Sequence, residues 1–142
     1  MKATLILFIF AMITGVSFAQ KKDKKNKESY EIVFQLTTAD TTAHKALMKQ
    51  LANITSVSPK TKIEVVCHGP GLDMLRNDKS IVSTKIEQFA NQGVVFNVCQ
   101  FSMKERSVSS EQILPSAKFV EAGILYVVEL QSKGWFYIKS GF

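Results

Sequence analysis

The sequence is sparing with the residues that usually announce a chemistry. Two cysteines, Cys67 and Cys99, occur in 142 residues, with no C-x-x-C spacing, and the two histidines, His44 and His68, lie far apart. A tetrahedral zinc site needs a closer set of such ligands, so no metal is expected. Two cysteines are also too few to form a disulfide scaffold in a chain of ordinary hydrophobic content, so each must be judged by its position. The glycines match neither G-x-G-x-x-G nor a phosphate-binding P-loop, which removes the motif support for a nucleotide, and no cofactor is expected. No Ser-His-Asp order or paired-carboxylate spacing stands out, so a hydrolase has no anchor.

Positive charge is plentiful but badly placed for nucleic acid. The net charge is +6, yet Lys21, Lys22, Lys24, Lys25 and Lys27 crowd one short segment with no aromatic partner. Without that segment and Lys2 the chain is close to neutral, whereas a nucleic-acid binder carries its basic residues on the folded surface. Residues 20–28 read as a solvated, Lys-rich disordered leader.

Ahead of that leader, Met1-Lys2 and the apolar stretch Ala3–Val16 end in Ser17-Phe18-Ala19, the small-residue pattern of a signal peptide. Cleavage is expected before Gln20. The run is shorter than the roughly 20 apolar residues that cross a bilayer, so no stable membrane insertion after cleavage is expected. The protein is expected to be exported, periplasmic or secreted, with one domain over residues 29–142.

Within that domain strand and helix patterns alternate. Tyr30–Leu36 is a dense β-branched and aromatic run, the mark of a buried strand. Thr37, Thr38 and Asp40 offer capping oxygens, and Ala43, Leu47, Met48, Leu51 and Ile54 recur at helical spacing. His44 falls beside that stripe and is expected on the surface. Ile63–Cys67 is a second strand, ended by His68-Gly69-Pro70-Gly71, with a helical turn at Leu72–Leu75. A helix with Ile81, Val82, Ile86, Phe89 and Ala90 on one face stops at Gly93. Val94–Val98 is a third strand that delivers Cys99 at its end. Phe101–Pro115 is polar, with one or two short helical pieces, and Lys118–Val120 is a weak fourth strand. Ala122–Lys133 is an apolar helix, and Trp135–Lys139 a final strand.

This alternation predicts an α/β fold, a mostly parallel sheet of about five strands with helices on both faces. Ligands in such sheets bind in the crevice at the carboxyl ends of the strands. Three segments reach it: Thr37–Asp40, His68–Gly71 and Cys99–Met103. Cys99 is the leading candidate, because amides of a helical segment from Ser102 could lower its pKa and favour thiolate, the form that attacks or carries sulfur. The bland reading of the same residue is a small buried hydrophobe. His68 could be an acid or base near Cys99, a donor to a bound anion, or a turn histidine. Gly69 and Gly71 allow a close backbone approach to an anion or ligand. Cys67 is a candidate redox partner if the strand ends bring the two sulfurs into range, although neighbouring parallel strands rarely allow disulfide geometry. Trp135, Phe136 and Tyr137 read as core or interface filling.

The segments IEVVCHGPGLDML (Ile63–Leu75), QGVVFNVCQFSM (Gln92–Met103) and AGILYVVELQSKGWFYIKSG (Ala122–Gly141) together resemble the DsrE/DsrF-like family, the YchN-type fold. The resemblance covers roughly Tyr30 to Phe142. It implies a flavodoxin-like three-layer sandwich that assembles as homo-oligomers, trimers or hexamers. It also implies a link to sulfur metabolism, since some members carry sulfur as a cysteine persulfide. Cys99 takes the position of the family's recurrent cysteine, and His68, Gly69 and Gly71 match its glycine loop. Two features differ: sulfur-relay members work in the cytoplasm, and Cys67 stands where a small residue such as alanine is expected. The reading is a sulfur-handling protein, a persulfide carrier or redox thiol with a small sulfur-containing ligand, rather than a classical enzyme. The alternatives are a non-catalytic module for a small ligand or partner, or a structural oligomer.

Overall fold

The structure, a computed structural model, describes residues 29–141. The expected signal peptide and Lys-rich leader lie outside the described residues. The elements run β1 (Glu31–Leu36), α1 (Thr41–Val57), β2 (Lys62–Cys67), a 3₁₀ segment (Gly69–Leu75), α2 (Ser83–Asn91) and β3 (Val95–Cys99). They continue with α3 (Gln100–Glu105), a 3₁₀ turn (Ser110–Gln112), β4 (Ala117–Val120), α4 (Gly123–Ser132) and β5 (Phe136–Ser140). Among the described residues no helix is long and apolar enough to cross a membrane.

All strand pairs are parallel, in the order β4-β3-β2-β1-β5. From β1 to β4 the chain steps across the sheet in one direction, and then returns over its full width to place β5 beyond β1. Parallel crossovers are right-handed, so reversing the direction of travel reverses the face that the connection covers. Leu47, Met48 and Leu51 of α1, Ile86 and Phe89 of α2 and Met103 of α3 accordingly pack with Phe34, Val65, Phe96 and Val98 on one face. Val127 and Leu130 of α4 pack with Val33 and Val66 on the other. The result is the α/β fold that the alternation predicts, in the flavodoxin-like three-layer form that the resemblance implies. Each fully buried large side chain, such as Phe34, Leu47 or Ile86, contributes about 1.5–3 kcal/mol.

Local chemistry sets the element ends. The Asp40 carboxylate accepts from the Thr42 amide and starts α1. In the polar stretch before β4, Ser109 and Gln112 form a reciprocal capping box, and the Leu114 amide donates to Leu75.

Two expectations need correction. His44 is buried, not on the surface: with Met48 and Leu51 it forms its own i, i+4, i+7 row, and its Nε2 lies 2.9 Å from the Thr38 carbonyl oxygen. The helical stripe is thus wider than the Ala43–Leu47 row suggested. Ile81 is exposed, because α2 begins only at Ser83 and leaves Ile81 in the preceding loop.

Candidate functional site

Connections after β1, β2 and β3 turn to one face of the sheet, and the connection after β4 turns to the other. The segments that leave β3 and β4 therefore diverge, and a crevice opens between them, as at the switch point of any open parallel sheet. Cys99 is the last residue of β3, and Glu121-Ala122-Gly123 leads from β4 into α4. A cavity of about 290 Å³ lies here, lined by His68, Gly69, Cys99, Phe101, Ser102, Glu105, Ala122, Gly123 and Ile124.

Cys99 is only 4% exposed, and its thiol lies 3.8 Å from the Glu121 carbonyl oxygen, to which it donates. The Gly123 amide, first of α4, donates to its sulfur at 3.2 Å. Burial by itself would raise the thiol pKa. The Ser102 hydroxyl and the amides of Gly123, Ser102 and Phe101 outweigh it, and the net shift is downward. The expected contribution of the segment around Ser102 is present, and Gly123 on a second helix adds to it. Ser102 also ties the site together, since its Oγ accepts from the Gly69 amide at 2.8 Å. Gly69 has φ +53°, a left-handed conformation that glycine adopts without strain.

His68 borders the same cavity. Cys67 pairs with Val98, so the next residues, His68 and Cys99, fall side by side at the sheet edge. Their Cβ atoms flank the same point, 3.3 and 3.1 Å from where a Cβ on Gly123 would stand. His68 Nε2 lies 2.7 Å from Gln35 Nε2, and Gln35 Oε1 accepts from the Tyr137 hydroxyl. Partial burial holds the His68 pKa below the usual histidine value, so the ring is neutral near pH 7.

Cys67 and Gly71 are placed elsewhere. Successive side chains of a strand alternate between faces. Cys67 joins the core on the α1 and α2 side, while Cys99 faces α4. Both thiols are free, and Cys67, the candidate redox partner, lies on the opposite side of the sheet from Cys99. Cys67 is wholly buried, which pushes its thiol far above the ordinary range. Gly71 does not line the cavity. A Cβ there would stand 2.2 Å from the Leu36 carbonyl oxygen, so this glycine lets the loop pack against the end of β1.

Sequence reasoning missed Gly123, Gln35 and Tyr137. The signal for Gly123 was available, as a glycine opening an apolar helix directly after a strand. It also missed the clamp that sets α4 in place: Tyr126 Oη and Asn97 Nδ2 both donate to Glu64 Oε2, at 2.9 and 2.8 Å. Those bonds join α4, β3 and β2 beneath the cavity. Among the described residues no group of three or more His, Cys, Asp or Glu side chains is arranged to hold a metal. A larger depression of about 430 Å³ between α1 and α2, lined in part by Lys45, Thr84 and Lys85, is lined by neither a cysteine nor a histidine.

The DsrE/DsrF-like family model matches residues 31–139, from the first residue of β1 almost to the end of β5. A solved structure of MTH1491, a protein of unknown function from Methanobacterium thermoautotrophicum, superposes with a TM-score of 0.75 at 27% identity. That match covers 78% of this chain and 99% of the other. BT1422 of Bacteroides thetaiotaomicron, a conserved protein of unknown function, shares the fold, with a TM-score of 0.63 at 18% identity over 77% of this chain and 93% of its own. No curated protein matches the chain. With a five-stranded parallel sheet and a family match that spans nearly all of it, this chain belongs to the DsrE/DsrF-like family.

Proposed function

We propose that the protein handles sulfur, with Cys99 as the carrier of a persulfide. The observation that carries this reading is the donor shell of Cys99, in which the Ser102 hydroxyl and three amides favour thiolate at the edge of a cavity. A thiolate is the nucleophile for sulfur transfer. In the transfer, Cys99 Sγ attacks the outer sulfur of a donor persulfide. A new Sγ–S bond forms, the donor's S–S bond breaks, and the donor leaves as a thiolate. The exchange is redox-neutral, and the same amides can hold the negative charge of the product. A persulfide adds one sulfur atom, which the cavity can hold.

The test is intact mass after treatment with inorganic polysulfide under native conditions. Wild type is expected to gain the mass of sulfur and Cys99→Ser to gain none. A wild-type protein that takes up no sulfur overturns the reading.

Two further parts of this proposal concern setting and assembly. Export rests on the signal pattern of residues 1–19, and N-terminal sequencing of secreted or periplasmic material checks it. Homo-oligomerisation is supported by the outer face of α4, where Ile124, Leu125 and Val128 are 60%, 68% and 54% exposed. Apolar residues clustered on one helix mark an interaction surface more than a solvated one.

A further inference from the structure

Tyr137 of β5, Gln35 of β1, His68 just past the end of β2 and Cys99 of β3 form a diagonal row on the face that α4 covers. The row links an exposed edge strand to the candidate site through one amide. An amide nitrogen can only donate, and an amide oxygen can only accept. Gln35 Oε1 accepts from the Tyr137 hydroxyl, and Gln35 Nε2 faces His68. At 2.7 Å the His68 Nε2 atom must therefore accept, and its lone pair is used. A neutral imidazole carries one proton, which is left on Nδ1.

From this row we infer that Gln35 and Tyr137 are positioning residues that fix His68 as the Nδ1–H tautomer, so that His68 serves the Cys99 cavity as a hydrogen-bond donor and not as a base. The inference deepens the sulfur-carrier reading and rests on it for the role of the cavity. It divides the labour at the site. Cys99 is activated by Ser102, Gly123 and the α3 amides, while His68 offers a proton to the anionic sulfur species bound beside it. Depression of the His68 pKa agrees with this, because the neutral ring is the state that keeps a defined tautomer.

Two-bond proton–nitrogen correlation spectra of the ¹⁵N-labelled protein test the assignment, since they separate protonated from unprotonated ring nitrogens. Wild type is expected to show His68 protonated at Nδ1 and bare at Nε2. Gln35→Glu replaces the donor by a carboxylate that only accepts, and is expected to invert the pattern to Nε2–H. Tyr137→Phe, at an exposed position, frees the amide to turn and is expected to give a mixture of tautomers. A wild-type ring protonated at Nε2, or a Gln35→Glu spectrum that keeps the wild-type pattern, overturns the inference. The spectra need no sulfur donor. A Cys99 that accepts no sulfur defeats the carrier proposal while the tautomer still reads as expected, and an inverted wild-type tautomer defeats only the positioning role of Gln35 and Tyr137.

Discussion

The amide of Gly123 donates to the sulfur of Cys99 across the gap between two strands whose connections leave on opposite faces. Its α4 helix and the short α3 helix both begin at this sulfur, so the site depends on two separate crossovers meeting at one atom. The rate of Cys99 alkylation by iodoacetamide, followed against pH, is expected to have its midpoint below the usual thiol value. Ser102→Ala removes the largest of the stabilising contacts. A hydrogen bond to a charged group contributes about 1.5–3 kcal/mol. The midpoint should then rise by about one pH unit or more. An unchanged midpoint in the variant would remove Ser102 from the site.

Cys67 and Cys99 leave neighbouring strands on opposite sides of the sheet, so mild oxidation is not expected to join them. Peptide mapping after diamide treatment should find no Cys67–Cys99 bridge in folded protein. Cys67 should react with alkylating reagents only on unfolding, since its thiol is buried and its pKa raised. Cys67→Ser should destabilise more than Cys67→Ala, because a hydroxyl placed there has to find a partner in an apolar core.

The two loop glycines should respond differently to alanine. Gly69→Ala has open space for its Cβ but holds φ at +53°, and is expected to cost about 1–2 kcal/mol. Gly71→Ala drives a Cβ into the Leu36 carbonyl. Overpacking against backbone typically costs about 1–3 kcal/mol, occasionally more. Urea denaturation of the two variants ranks them. Equal stabilities would mean that the loop yields at Leu36.

These glycines also show what was legible in the sequence. The strands, the alternation and the strand-end position of Cys99 follow from residue type and spacing, because period and β-branching decide them locally. The two glycines look alike in His68-Gly69-Pro70-Gly71, yet one takes a left-handed conformation in open space and the other clears space for β1, a distinction that exists only once β1 lies beside the loop. His44 misled for a related reason: a helix stripe widens where a loop such as Thr37–Asp40 folds over its first turn. Gln35 read as a polar residue in a buried strand, and nothing local tied it to Tyr137, over a hundred positions away.

His68 gives a pH dependence of stability. Its folded pKa is depressed by burial, so the unfolded chain binds the proton more readily. Stability from this residue is fully present above the ordinary value of 6.5 and is lost as pH falls below it toward the depressed folded value. Denaturant midpoints should fall across that window in wild type, and the slope should weaken in His68→Gln.

The outer face of α4 is the place to test assembly. Ile124→Asp with Val128→Lys should shift sedimentation toward the monomer while leaving the circular dichroism spectrum intact. A wild-type protein that is already monomeric at working concentration would count against oligomerisation.

Among the described residues α4 is the one helix on its face of the sheet, so it is the element expected to open apart from the core packed beneath α1 and α2. Any such opening carries the Gly123 amide away from Cys99. Segments of this kind open at free energies below that of global unfolding. The acidity of the thiol is thus a built-in gauge of local opening, and its drift under mild denaturant would report the docking of one helix before the rest of the protein gives way.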